Sequence, residues 1–346
     1  MKKMLIIKDM RDWFWSTYPN WTTPVSLDVE YMKKYFEKMG YQVEITSYQD
    51  FNFSKDYSGY VVLYSSAEDY CGGSKAFMED VLMHLHYQKT LMLPELQYFR
   101  AHDNKVMMEI LRYDFKDAGL KTISSSIWPS LEALKEAPPK EYPVIIKRAA
   151  GAGGEGVFLA RNEKELYKYA EKVSRMADLK LFYYLSCVNV KQRLLGKKPV
   201  LIHNTKFITQ NFIEGLNGDY KVLVFGERYF VLHRLNRKDD FRASGSGNFT
   251  DDDANAIKSV LDFAKLCTKE IDSPWLSLDI CHDGSACHLI EFQCIFFGFK
   301  AMSMSKQHYV QESGQWKVIE GTVVPEEEFC ESVRYYLENK KGMVTE

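Results

Sequence analysis

Asp279 and Glu291 flank Asp283-Gly284, a dipeptide that turns one strand back on another when it lies between alternating apolar runs, as it does here. Pairing His282 with His288 sets Asp279 directly opposite Glu291, with β-carbons roughly 5 Å apart, and the period of two places Gln293 on the same sheet face. Two opposed carboxylates destabilise a sheet unless something neutralises them. A hard cation with oxygen ligands does so, and magnesium holding nucleotide phosphates is the natural candidate. A register one residue away would send the two carboxylates to opposite faces as ordinary surface or paired groups. Cys281, His282, Cys287 and His288 offer a weaker zinc alternative, because neighbouring residues on a strand point to opposite faces and no C-x-x-C spacing is present.

The second chemical feature is the stretch from Lys147 through Gly151, Gly153, Gly154 and Gly156. It contains G-x-G-x-x-G, but Gly156 leads into Val157-Phe-Leu-Ala160, a strand pattern, whereas a dinucleotide loop must open a helix. The loop therefore joins two strands. Its glycines let backbone N–H groups approach a polyanion, and Lys147 supplies a point charge, a combination suited to a triphosphate. A plain hairpin tip with a flanking lysine is the competing reading of the loop alone.

The surrounding elements must bring loop and hairpin together. Met4–Ile7 reads as a buried strand, and Ser26 caps an amphipathic helix through Met32, Phe36 and Met39 that stops at Gly40. Tyr41–Thr46, Tyr60–Tyr64, Lys75–Tyr87 and Thr90–Leu93 continue as strand, strand, helix, strand, which predicts a small, largely parallel α/β unit. Asp103 caps a helix running through Phe115 to Gly119, and Thr122–Ile127 is extended. Pro138, Pro139 and Pro143 mark a linker before the β-branched run Val144-Ile-Ile-Lys147. There is no internal repeat.

Loop and hairpin together resemble the ATP-grasp superfamily of carboxylate–amine ligases over most of the chain from Lys105 to about Gly298. Tyr142-Pro-Val-Ile-Ile-Lys147 with Gly151–Gly156 is similar to the family's phosphate lid, and Lys105 to its upstream helix lysine. Gln210-Asn-Phe-Ile-Glu-Gly215 resembles the interdomain strand, where the backbone at Asn211 and Ile213 would hold adenine. Asn211 replaces the usual Glu there. Gly218-Asp219 opens a strand whose acidic residue would contact ribose or substrate. Arg234 through Asp240-Phe-Arg242 to Asn248 looks like a stretch of the glutamate-adding, ribosomal-protein-modifying branch, whose basic groups stabilise transferred phosphate. Asp279, Glu291 and Gln293 match the metal set, with Gln293 in place of Asn, one methylene longer.

The resemblance implies an α/β chain, α+β in its ATP-binding part, with an ATP-grasp fold behind an N-terminal Rossmann-like pre-ATP-grasp domain. The expected divisions are 1–100, 101–209 as linker and lid with the glycine loop, and 210–346 with the metal hairpin. It also implies ATP and Mg2+, an acylphosphate intermediate, ADP and phosphate as products, and small carboxylate and amine substrates such as an amino acid or a carboxylated sugar. A phosphotransferase on the same fold, or a nucleotide-binding scaffold weakened at Gln293, are the alternatives. Trp13, Phe14, Trp15, Tyr18 and Trp21 could stack on a substrate, although a packed loop is the commoner use of such a cluster. The stretch from Tyr167 to Thr205 exceeds what the family core needs and fits an acceptor-site insert, a homodimer contact or plain packing.

Composition narrows the partners. With 45 Lys+Arg against 47 Asp+Glu, the net charge of −2 provides no polybasic footprint for nucleic acid. Apolar residues at 46% supply real cores. Seven cysteines lack the spacing of a secreted disulfide framework, Lys8 and Asp9 cut the first apolar run too short for a signal segment, and no run approaches a membrane span. The expectation is a cytoplasmic protein with no membrane partner.

Overall fold

The structure, a computed structural model, describes all residues except 1, 16–25, 67–72, 152–153, 155, 176–177, 199, 237–240, 243–247, 251–253 and 341–346. Gly153, Tyr18, Trp21 and Asp240 thus lie outside the described residues.

A parallel sheet of order β2-β1-β3-β4 comes first, from β1 (Lys2–Lys8), β2 (Tyr41–Ser47), β3 (Tyr60–Tyr64) and β4 (Leu91–Leu93), with α1 (Val29–Lys38) and α2 (Gly73–Tyr87) between its strands in the chain. Met4 to Ile7 and Val62 to Tyr64 are fully buried, as strands covered on both faces must be. Helix α1 turns Met32 and Phe36 inward and ends before Gly40, whose φ of +82° suits glycine. Its cap is Asp28, which accepts from the Glu30 and Tyr31 amides, not Ser26; the Ser26 hydroxyl is bound to Phe14 instead.

Helices α3 (Leu96–Ala101) and α4 (Lys105–Tyr113) lead to a four-stranded antiparallel sheet. It comprises β5 (Ser125–Trp128), α5 (Leu131–Glu136), β6 (Val144–Arg148), β7 (Val157–Ala160), α6 (Glu163–Ser174), α7 (Leu179–Leu194) and β8 (Phe207–Asn211), ordered β5-β8-β6-β7. The short α3 escapes the sequence pattern because six residues span too few turns for a period to show. Strands β6 and β7 pair with Lys147 opposite Val157, so the glycine loop does join two strands.

The remaining elements are β9 (Gly218–Phe225), β10 (Arg228–Leu235), β11 (Asn248–Thr250), α8 (Ala254–Glu270), β12 (Trp275–His282), β13 (Cys287–Gln293), α9 (Lys300–Met304), β14 (Gln307–Glu312), β15 (Gln315–Glu320) and α10 (Pro325–Asn339). Their sheet runs β13-β12-β9-β10-β14-β15, with β11 on β10. Phe14 and Trp15 are core rather than a binding platform. Trp15 is 1% exposed, its indole N–H donates to the Phe297 carbonyl at 3.0 Å, and its ring meets Trp275 edge-on at 5.4 Å. The first sheet is thereby keyed into the third through aromatic packing. In α7, by contrast, Leu179, Tyr183, Val190 and Leu194 face solvent, and none of the helix reaches the cleft described below.

Candidate active site

The two antiparallel sheets face each other across a cavity of about 240 Å³. Twelve sequence-predicted residues line it: Lys105, Lys147, Gly151, Gly154, Gln210, Asn211, Ile213, Arg234, Arg242, Asp279, Glu291 and Gln293. Gly156 does not reach the wall; it supports the loop, where its φ of +77° and a close approach to Arg148 leave no room for a β-carbon. Asp219 is also absent from the wall, being wholly buried behind Arg234.

The charged side of the cavity follows from strand register. Asp279 pairs with Glu291 on β13 and with Lys221 on β9, while Arg234 on β10 pairs with Asp219. Opposed residues share a face, and so do residues two apart, which puts Asp219, Lys221, Arg234, Asp279, Glu291 and Gln293 on one side of the sheet. The expected Asp279–Glu291 pairing holds, but the register at the turn is corrected. His282 lies opposite Cys287, and Cys281 opposite His288, with an irregularity after Ile280 restoring the offset. The turn itself is set by Asp283, which accepts from the Ser285 and Ala286 amides and from His288 Nε2. His288 is thereby committed to the turn. Among the described residues no group of three or more His, Cys, Asp or Glu is placed to hold a metal, so the zinc alternative does not assemble.

Neutralisation of the carboxylates also differs from expectation. Lys221 Nζ lies 2.8 Å from Asp279 Oδ1, Arg234 Nη2 lies 3.0 Å from the same oxygen, and Arg234 grips Asp219 through both Nε and Nη2. Burial alone would raise the Asp279 carboxyl, but Lys221 and Arg234 outweigh it and hold it low. Burial and the neighbouring Asp279 push Asp219 up against the pull of Arg234. Lys221 belongs to no motif in the sequence, yet the period of two from Asp219 along β9 is sufficient to find it.

Helix α4 joins the two sides. Its cap is Asn104, accepting from the Met107 amide, rather than Asp103. Asp103 instead accepts from the Gly151 amide at 2.6 Å and so anchors the glycine loop. Lysine in a first turn opposes the helix dipole, and Lys105 has its reason in the cavity. Its Nζ donates to the Gly151 carbonyl at 2.7 Å and stands 3.9 Å from Glu291 Oε1. Arg242 Nη1 donates to the Gly154 carbonyl from the other side of the loop. Lys147 loses enough water to the cavity walls that burial pulls its ammonium down to about 8, with Glu291 pulling it back up.

Opposite the charges, Ile123, Ile145, Val157, Phe212, Leu216 and Phe241 make an apolar slot. Gln210, which is buried, and Asn211, which is exposed, border it, and both side chains bind neighbouring segments. Gln210 Nε2 donates to Glu109 at 3.0 Å, and Asn211 Oδ1 accepts from the Ser124 amide at 2.7 Å. The Asn211 side chain thus ties the end of β8 to the start of β5, its neighbour in the sheet.

Sheet order and the facing of two antiparallel sheets across a cleft of this charge give the chain an ATP-grasp fold behind an N-terminal parallel α/β sheet. The family model for the ATP-binding domain of the carbamoyl-phosphate synthase L chain matches residues 109–190, less than a quarter of the chain. No curated protein matches the sequence. Solved structures of similar shape include the ATP-grasp ligase PsnB complexed with minimal precursor, Mg and ADP, at 14% identity and TM-score 0.48, covering 97% of each chain. A RimK domain ATP-grasp protein from Sphaerobacter thermophilus is 11% identical with TM-score 0.48, covering 85% of this chain and 92% of that one. The D-alanine–D-alanine ligase of Bacillus anthracis is 12% identical with TM-score 0.43, covering 85% and 87%.

Proposed function

We propose that the protein is an ATP-dependent carboxylate–amine ligase of the ATP-grasp superfamily. The observation that carries this reading is the juxtaposition of Lys105, Lys147, Lys221, Arg234 and Arg242 with Asp279 and Glu291 beside an apolar slot in one cavity. Cations in excess of carboxylates suit a polyanion, and an apolar slot suits a base. The match of residues 109–190 to an ATP-binding domain supports the same reading.

Asp279 Oδ2 and Glu291 Oε2 take no hydrogen bond from the described residues, so two hard oxygens from neighbouring strands are available to magnesium. Bound there with Gln293, the ion would neutralise phosphate charge and polarise the transferred phosphoryl group. Lys105 and Lys147 grip the triphosphate, and the adenine edge meets the backbone at Asn211 and Ile213. A substrate carboxylate oxygen attacks the γ-phosphorus as the bond to ADP breaks. An amine then attacks the acyl carbon, phosphate leaves, and the amine gives up a proton. Arg242, anchored to the loop, faces the charge that moves in the first step. Arg234 is held by two carboxylates, and we assign it to orienting Asp279, with Asp219 acting through it. Closure of the glycine loop excludes water from the acylphosphate. The finer assignment, addition of glutamate-like amino acids, rests on the Arg234–Arg242 segment.

Calorimetric titration of ATP with and without magnesium, followed by ADP release with pooled acids and amines, tests the reading. Magnesium-dependent binding and ADP release requiring both acid and amine are expected. A stable phosphorylated product formed without amine would replace the ligase with a phosphotransferase, and absence of ATP binding would overturn both.

A further inference from the structure

The irregularity between β12 and β13 is a β-bulge. Near the turn Ile280 pairs with Leu289; one residue further along β12, Asp279 pairs with Glu291, leaving Ile290 as the extra residue. Ile290 and Glu291 accordingly both line the cavity although they are adjacent in sequence. Had the register at the turn continued, Glu291 would face Leu278, which is fully buried in the apolar core, and no carboxylate would stand beside Asp279.

A bulge leaves its extra residue outside the ladder and needs a partner for the freed carbonyl. Here the partner is Arg112, in the last turn of α4, whose Nη2 donates to the Ile290 carbonyl at 3.4 Å. Arg112 is 3% exposed, its nearest carboxylate, Glu109, is 3.6 Å away, and its Nε and Nη1 have no partner among the described residues. A guanidinium buried with so little compensation is costly to keep, and what it does make is the contact to the bulge. The same helix carries Lys105 in its first turn.

We propose that Arg112 is a positioning residue of the site: by holding the Ile290 carbonyl it maintains the bulge that turns Glu291 into the cavity. Its functional consequence rests on the magnesium reading above; its structural half does not. Two measurements on the full chain separate them. A Ser277→Cys/Gln293→Cys pair, directly opposed only when the bulge is present, reports register through its cross-link, read by peptide mapping. Magnesium titration in the presence of ATP reports the site. With Arg112→Met, the cross-link yield falls to a small fraction of that with Arg112 present. Half-saturating magnesium rises about tenfold or more, while ATP binding without magnesium changes less than about twofold. Arg112→Lys, which keeps the charge, recovers part of both and stands in should the methionine variant not fold. Unchanged cross-linking and unchanged magnesium dependence in a folded variant overturn the proposal. Loss of the cross-link in a protein that shows no magnesium effect even with Arg112 present would leave the register role standing and remove the metal reading instead.

Discussion

Lys105 stands 3.9 Å from Glu291 while donating to the Gly151 carbonyl at 2.7 Å, so one ammonium bridges the glycine loop and the carboxylate hairpin. A phosphate arriving in the cavity would compete for that ammonium with a backbone carbonyl and a distant carboxylate. Replacing Lys105 with Met should weaken ATP binding by about 1.5–3 kcal/mol, the range of a charge-assisted hydrogen bond. Calorimetry checks this; affinity within twofold of the unaltered protein would take Lys105 out of the phosphate site.

Glu291→Ala should abolish magnesium-dependent ADP release and leave the fold intact, because Glu291 lies at the cavity wall and its ion-pair partner Lys105 retains the Gly151 carbonyl. Circular dichroism and an ADP-release assay read the two halves. Turnover surviving in this variant would remove Glu291 from the metal site.

Lys147 gives the site a pH dependence. Its ammonium is pulled down to about 8, so it carries its charge below that pH and sheds it above. Triphosphate favours the charged form; affinity should therefore be highest below pH 8 and fall as pH rises through it, with proton uptake on binding near pH 8. Titrations in buffers of different ionisation enthalpy measure that uptake. In Lys147→Met the step should vanish; a step of the same size there would assign it to another group.

Gly218 opens β9 where a β-carbon would lie 2.1 Å from the Arg234 carbonyl oxygen. Gly218→Ala must separate β9 from β10 next to the Asp219–Arg234 pair, and should cost about 1–3 kcal/mol in denaturant unfolding, the usual penalty of overpacking. A cost under 0.5 kcal/mol, taken as roughly the scatter of neutral surface changes, would mean the strands yield freely there.

Trp15→Ala should destabilise the chain by about 3–5 kcal/mol, as removal of a buried aromatic does, and leave ATP affinity of the folded protein unchanged. Trp15 touches Trp275, Phe297, Phe299 and Phe329, none of which lines the cavity. Lost affinity without lost stability would restore the aromatic cluster as a binding surface.

Much of the site was legible from spacing. The period of two along β13 put Glu291 and Gln293 on one face, and the strand pattern after Gly156 showed that the loop joins strands, but Asp279 meets Glu291 only because the bulge at Ile290 offsets a turn register one residue away from the His282–His288 pairing. Caps were less legible. Ser26 and Asp103 each sit near a helix start and are good capping types, but neighbours at 28 and 104 do that work while Ser26 and Asp103 bind segments distant in sequence.

Local rules thus determined the alternation of strands and helices, the glycine loop and the hairpin that carries the two carboxylates, because those features depend on residues a few positions apart. Only the tertiary structure decided that Lys221 and Arg234 neutralise Asp279, that Asp219 withdraws behind Arg234, and that Trp15 belongs to the core. It also decided the bulge at Ile290, since a turn's register can be shifted by one residue wherever a buried donor from another element, here Arg112, satisfies the carbonyl set free.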